Sequence, residues 1–305
     1  MKHLLRSADL SYEELMELLE NAKSYLPVLK ERRGLDIAKG KVLAALFYEP
    51  STRTRFSFEA AMLRLGGTVI SNAMMKETSS AKKGESLHDT AQTVSRYADI
   101  IAMRHPEPGS VPEFAEGSIA PVMNGGDGAA DHPTQGLLDI FTIWQHFGGI
   151  ENLTIGCVGD MKFSRVVRSE CQYLRHFKGL KFIFVTPEAL KMNRDVVDML
   201  KENGFEVEET EDLESVIGEC DIISQTRIQQ ERFESEEEYL KYKGVYVMTP
   251  ELMSKAKESA ILMHPLPRVD EIQPAVDSDP RAVYFDQVRN GVAIRMALIT
   301  KLLGL

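Results

Sequence analysis

Cysteine, basic charge and long apolar runs are all in short supply in this 305-residue chain. The three cysteines, Cys157, Cys171 and Cys220, lie far apart, with no Cys-x-x-Cys pair and no histidine at zinc-ligand spacing. A disulfide framework and a structural zinc site are thereby excluded, and a reducing compartment is expected. The first strongly apolar run, Val42–Tyr48, has the length of a buried strand. A membrane span takes about 20 residues. The opening MKHLLRSADLSYEELMELL turns acidic at once and lacks the apolar stretch of a signal peptide. Lys and Arg number 36 against 46 Asp and Glu, a net charge of −10. That balance excludes a sequence-independent nucleic-acid binder, which needs a basic face to replace phosphate counterions. Neither a GxxxxGK[ST] loop nor GxGxxG occurs, so nucleotide and dinucleotide binding lose their usual support. The sequence predicts a soluble, cytoplasmic protein with no metal or other cofactor, whose anionic ligands must be met by local basic sites.

What the chain does contain is 43% hydrophobic residues, ample for buried cores. Short apolar runs alternate with helical patterns. Strands are predicted over Val42–Phe47, Thr68–Ser71, Ile100–Met103, Pro121–Asn124, Leu153–Val158, Phe182–Val185, Ile222–Ser224 and Ile261–Met263. Parallel strands need crossover connections, so this alternation predicts α/β architecture: two doubly wound parallel-sheet domains. A first helix is expected over Ser11–Arg33 and a closing one over about Gln287–Leu303. A helix over Pro133–Phe147, capped near Asp131 and ended by Gly148-Gly149, separates the two strand sets and is read as the interdomain helix. The predicted domains are residues 1–134, completed by the C-terminal helix 285–305, and residues 150–284. The acidic run Glu234–Glu238 reads as a solvated loop or helix face.

Several polar segments interrupt this pattern at strand ends. Glu49-Pro50-Ser51-Thr52-Arg53-Thr54-Arg55 follows an apolar strand and opens a helix on which Phe56, Ala60 and Leu63 share a face. Helix-start N–H groups and the helix dipole favour an anion there; Ser51, Thr52 and Thr54 add hydroxyls and Arg53 a guanidinium fork. The same residues also fit a plain cap with exposed arginines. Arg104 closes a strand, where ligand crevices of α/β sheets lie, though a surface ion pair would suit it too. His132 and Gln135 are three apart across a helix start, so both can face one ligand or serve as cap and packing. Residues 78–86 carry no apolar periodicity and read as a polar surface loop. Arg165 and Arg227 each follow a strand, an arrangement that can grip a dicarboxylate. His264-Pro265-Leu266-Pro267-Arg268 is a proline-stiffened turn that accommodates a cis bond before Pro267.

Phe47-x-Glu49-x-Ser51-Thr52-Arg53-Thr54 resembles the signature of the aspartate and ornithine carbamoyltransferases, and the resemblance runs along essentially the whole chain. Glu49 and His264-Pro265-Leu266-Pro267-Arg268 are similar to the aspartate branch, since the ornithine branch has Lys and His-Cys-Leu-Pro there. The resemblance implies transfer of a carbamoyl group from carbamoyl phosphate to the amine of L-aspartate, a step of de novo pyrimidine biosynthesis. It assigns carbamoyl phosphate to Ser51, Thr52, Arg53, Thr54, Arg104, His132, Gln135 and the Leu266-Pro267 turn. Arg53, Thr54, Arg104 and His132 are the implied catalytic residues, the last three facing the carbonyl oxygen. Aspartate falls to Arg165, Arg227, Gln229 and Lys83, and Ser79 and Lys83 are implied to be lent by a neighbouring subunit of a homotrimer. A separate regulatory chain occurs in some relatives. His105 matches the family wording without an assigned role.

Three stretches depart from that wording: Gly125–Ala130, where Ser-Asn-Gln is expected before His-Pro; Ser80-Ala81; and Arg168-Ser169-Glu170, where His-Ser-Leu is common. No nucleophile is paired with a base and no cysteine falls in a motif, so direct attack is expected rather than a covalent intermediate. The competing readings are a carbamoyltransferase for another amine such as ornithine, which fits poorly beside Arg165, Arg227 and Lys83, and a non-catalytic anion-binding or scaffold homologue.

Overall fold

The computed structural model describes every residue except Glu231, Arg232 and Glu234. The chain forms two compact units, Met1–Gln145 with Val288–Leu305, and His146–Gln287. In the first, β1 (Val42–Phe47), β2 (Thr68–Asn72), β3 (Ile100–His105) and β4 (Val122–Asp127) form a parallel sheet ordered β2-β1-β3-β4. In the second, β5 (Thr154–Val158), β6 (Lys181–Val185), β7 (Glu206–Thr210), β8 (Ile222–Gln225) and β9 (Ile261–Met263) form a parallel sheet ordered β7-β6-β5-β8-β9. Two parallel-sheet α/β units are the architecture expected from the sequence. Central strands such as Val-Leu-Ala-Ala-Leu-Phe of β1 are buried almost throughout, as crossover helices on both faces require. Among the described residues no helix is long and apolar enough to cross a membrane.

One strand, β7, lies outside the eight expected. Its sequence Glu-Val-Glu-Glu-Thr has little apolar content because it lies at a sheet edge, paired only to β6. Lys181 on β6 sets its ammonium 3.6 Å from Glu206 and 3.1 Å from Glu208, offsetting the acidic edge.

Helix boundaries follow local chemistry. Ser11 accepts from Glu14 N–H and the Glu14 carboxylate accepts from Ser11 N–H, a capping box opening Tyr12–Lys30. The helix ends at Lys30, three residues before the expected stop, and Arg32, at φ 55°, turns the chain away. Helix Pro133–Phe147 runs as predicted, with Leu137, Phe141 and Trp144 buried, and carries the chain from one unit into the next. The closing helix begins a turn earlier than expected, at Tyr284, and ends at Leu303. Part of the acidic run forms the short exposed helix Glu236–Leu240; Glu234 lies outside the described residues.

Helix Thr52–Arg64 buries a different face from the one its apolar spacing suggests. Thr54, Ser57, Phe58, Ala61 and Met62 face the interior, whereas Phe56 and Leu63 are 53% and 58% exposed. Ile70 and Met74 are also exposed in the same unit. The interior of the unit is already filled by Phe58, Met62 and the sheet, so the Phe56–Leu63 stripe is left to solvent in the single chain.

Candidate active site

In the first unit the predicted residues gather at the C-terminal ends of β1, β3 and β4. Ser51 is the N-cap of helix Thr52–Arg64, in extended geometry, and its side chain makes no capping bond. Thr54 is buried in the first turn while Arg53 is exposed. Register brings Arg104 beside Phe47, and Tyr48 N–H donates to the Arg104 carbonyl at 2.9 Å, so the Ser51 turn and Arg104 share one strand-end shelf. The Arg104 guanidinium bonds Glu49 Oε1 at 2.6 Å from Nε, with Nη1 3.5 Å from the Gly125 carbonyl. Glu49 thus has a structural task beyond marking the family branch, one that neighbours in sequence did not reveal.

Two glycines allow this close packing. A Cβ on Gly125 would lie 3.3 Å from the Met103 carbonyl and 3.4 Å from the Phe58 ring. One on Gly128, at φ 53°, would lie 2.5 Å from Pro108. The departures from family wording at 125–130 therefore keep the small residues that the crowding demands.

His132 is buried and precedes helix Pro133–Phe147, and its carbonyl accepts from Gln135 N–H at 2.9 Å. Gln135 Nε2 donates to both carboxylate oxygens of Asp139, at 3.1 and 3.2 Å. Beneath these helix starts lies Arg295, fully buried on the closing helix and missed by sequence reasoning. It donates to Ser57 Oγ and Thr134 Oγ1, each at 3.1 Å, and to the Gly291 carbonyl at 3.0 Å. Its guanidinium lies 4.8 Å from the Phe58 ring centroid. Burial pushes its pKa down to about 10, partly opposed by Asp139, which still leaves it charged at neutral pH. A lone arginine inside an apolar helical stripe was the only signal available. His105, given no role, accepts at Nδ1 from Glu107 N–H at 3.1 Å and packs on Tyr48; burial lowers its pKa despite the nearby carboxylates of Glu107, Asp127 and Glu49.

Ser79 and Lys83 also belong to the first unit. The expected irregular loop is partly helical, with a turn of helix at Met75–Thr78 and a 3-10 turn at Ser80–Lys83. Hydroxyl groups bonded back to carbonyls, Thr78 to Met74 and Ser79 to Met75, add to the anchoring by buried Met75. Lys83 is exposed.

In the second unit Arg165 and Arg227 follow the adjacent strands β5 and β8. The loops are drawn together: Thr226 N–H donates to the Val158 carbonyl at 2.8 Å, and Gln229 Nε2 lies 3.5 Å from the Phe163 carbonyl. Gly159, at φ 115°, makes this approach feasible, since a Cβ there would fall 2.3 Å from the Thr226 carbonyl. Asp160 is completely buried and accepts from Phe163 N–H at 3.0 Å; burial raises its pKa, and backbone donors offset part of the rise. Ser164 caps the helix that Arg165 begins. The departure at 168–170 is partly structural: Arg168 bonds the Lys162 carbonyl, and buried Glu170 accepts from Ser224 Oγ.

The turn after β9 holds Leu266 at φ 52° and a cis Leu266–Pro267 bond. Leu266 N–H donates to His264 Nδ1 at 2.8 Å, and His264 Nε2 lies 2.7 Å from Glu271 Oε1. Glu271 Oε2 accepts from Val269 and Asp270 N–H groups at 3.0 and 3.1 Å. Burial works to raise the Glu271 carboxyl, but His264 and these backbone donors leave it below its ordinary value. A carboxylate with a depressed folded pKa stabilises above its unfolded value, and the contribution fades as pH falls through the folded one. The Tm advantage of the natural chain over Glu271→Gln is therefore expected to shrink below about pH 4.5; a pH-independent difference would contradict this network.

Both strand-end clusters are thus built around arginines, one set in each unit. Residues 2–145 match the family described as aspartate/ornithine carbamoyltransferase, carbamoyl-P binding domain, and residues 151–302 match its Asp/Orn binding domain. The chain belongs to the aspartate/ornithine carbamoyltransferase family. Within that family it is 50% identical, over 97% of its length and 95% of the relative's, to the aspartate carbamoyltransferase catalytic subunit of Thermococcus kodakarensis. The catalytic subunit of M. jannaschii aspartate transcarbamoylase superposes with a TM-score of 0.93 at 44% identity, covering 100% of this chain and 98% of that one. Aspartate transcarbamoylase from Trypanosoma cruzi in complex with N-(phosphonacetyl)-L-aspartic acid gives 0.91 at 36% identity, covering 98% and 94%. Among the described residues no group of three or more metal-ligating side chains converges.

Proposed function

We propose that this carbamoyltransferase-family chain moves the carbamoyl group of carbamoyl phosphate to the amine of L-aspartate, giving N-carbamoyl-L-aspartate and phosphate. The observation that carries the reading is the placement of Arg53 and Arg104 at one set of parallel-strand ends and of Arg165 and Arg227 at another. Phosphate is held by Ser51, Thr52, Arg53 and Thr54 at the start of a helix, where N–H groups and dipole favour an anion. Thr54, Arg104 and His132 donate to the carbonyl oxygen as it gains charge. Gln135 and the carbonyls of the Leu266-Pro267 turn meet the carbamoyl NH2. Arg165, Arg227 and Gln229 fix aspartate, whose two carboxylates suit guanidinium forks as a cationic amino acid would not. Residues 1–134 with the C-terminal helix form the carbamoyl-phosphate domain and residues 150–284 the aspartate domain.

The active species is a homotrimer in which Ser79 and Lys83 are lent to a neighbouring site. The exposed apolar side chains Phe56, Leu63, Ile70 and Met74 support self-association, which would take them out of water. The amine attacks the bound carbonyl directly. With carbamoyl phosphate labelled at its carbon, the label should appear in the ureido carbon of N-carbamoyl-L-aspartate with one phosphate released per product. Label retained on acid-quenched protein would contradict direct attack.

A further inference from the structure

The loop leading to His132 is tied to a distant part of the chain. Asp131 Oδ2 accepts from Ser7 N–H at 2.6 Å, and Oδ1 accepts from the Ser7 hydroxyl at 2.7 Å. The same Oδ1 accepts from His132 N–H at 2.8 Å. Ser7 is completely buried and opens a short 3-10 turn, Ser7–Asp9. The segment before it runs along β4: Leu4 N–H bonds the Val122 carbonyl and Asn124 N–H the Leu4 carbonyl, both at 2.9 Å. Asn124 Nδ2 adds a bond to the Leu5 carbonyl at 2.8 Å. From the other side, Asp127 N–H donates to the Asp131 carbonyl at 3.1 Å.

One carboxylate therefore gathers three donors, two from a segment anchored on the sheet and one from the backbone of His132. Bonds to an ionised acceptor are shorter and roughly twice as strong as neutral ones.

We propose that Ser7 and Asp131 form a latch that positions His132, making Asp131 a positioning residue for the oxyanion donor. The latch rests on the reading of His132 as that donor. Because Oδ1 holds the His132 N–H and the Ser7 hydroxyl together, the backbone at His132 is tied to the segment paired with β4, which sets the point from which its side chain extends. Loss of the latch leaves the substrate carboxylate and phosphate contacts intact and misplaces only the carbonyl donor.

The test is a double-mutant cycle on the full chain, reading kcat, KM for aspartate and Tm. Asp131→Ala is expected to lower kcat about tenfold while KM for aspartate stays within about twofold. In a His132→Ala background the same change should lower kcat by less than about twofold, because the group it positions is gone. An equal loss in both backgrounds would overturn the latch, since Asp131 would then act independently of His132. Unchanged kcat in a folded Asp131→Ala protein would overturn it as well. His132→Ala is measured first: a near-normal kcat there refutes the reading of His132 itself, separately from the latch. If Asp131→Ala fails to fold, Ser7→Ala, which removes the hydroxyl that shares Oδ1 with the His132 N–H, takes its place in the same cycle with the same criteria.

Discussion

Arg53→Ala is expected to lower kcat by roughly a hundred- to a thousandfold, the scale seen when one donor to developing charge is removed. Arg53 is exposed beside the first turn of its helix, so the substitution should leave Tm nearly unchanged. Arg104→Ala should cost activity on the same scale but also stability, because it strips Glu49 of its guanidinium partner at 2.6 Å. A half-buried carboxylate left without that bond typically costs about 1–3 kcal/mol. The two variants thus separate a surface ligand from one that is also built into the shelf. Near-normal turnover in Arg53→Ala would remove the phosphate-turn assignment, and near-normal turnover in Arg104→Ala its assignment as a carbonyl donor. Equal Tm losses would contradict the difference in their surroundings.

The second large effect concerns the acceptor. Arg227→Ala and Arg165→Ala should each raise KM for aspartate by roughly ten- to a hundredfold, from the loss of charge-assisted bonds worth about 1.5–3 kcal/mol. Carbamoyl phosphate affinity, measured by calorimetry without aspartate, should change by less than about twofold, because the residues proposed to hold it lie chiefly at the ends of β1, β3 and β4. Loss of carbamoyl phosphate affinity with unchanged KM for aspartate would invert the assignment of the two arginine sets.

The strand-end segments of the candidate site were legible because strand ends in parallel sheets are marked by abrupt changes from apolar to polar residues. Val42–Phe47 followed by Glu49–Arg55, and Ile222 onward followed by Thr226–Gln229, both show that change. Strand β7 was not legible, because an edge strand paired with a lysine-bearing neighbour tolerates acidic residues that erase the apolar signal. The buried face of helix Thr52–Arg64 was misjudged because apolar spacing reports an apolar stripe and not what covers it; Phe56 and Leu63 carry the stripe yet stay exposed. Arg295 and the Ser7–Asp131 pair escaped notice for a different reason. Their partners lie 238, 161 and 124 positions away, and no local pattern encodes a bond over that span. Likewise Glu49 and Arg104 each belonged to a recognisable motif, but their pairing across 55 positions appears only when β1 and β3 are side by side.

The central claim is that the second arginine set selects a dicarboxylate acceptor for the carbamoyl group held by the first. The most direct test supplies the purified chain with carbamoyl phosphate and equal concentrations of L-aspartate and L-ornithine, and quantifies both carbamoylated products. N-carbamoyl-L-aspartate with no measurable citrulline is the predicted result, whereas citrulline as the main product would contradict the reading of Arg165 and Arg227.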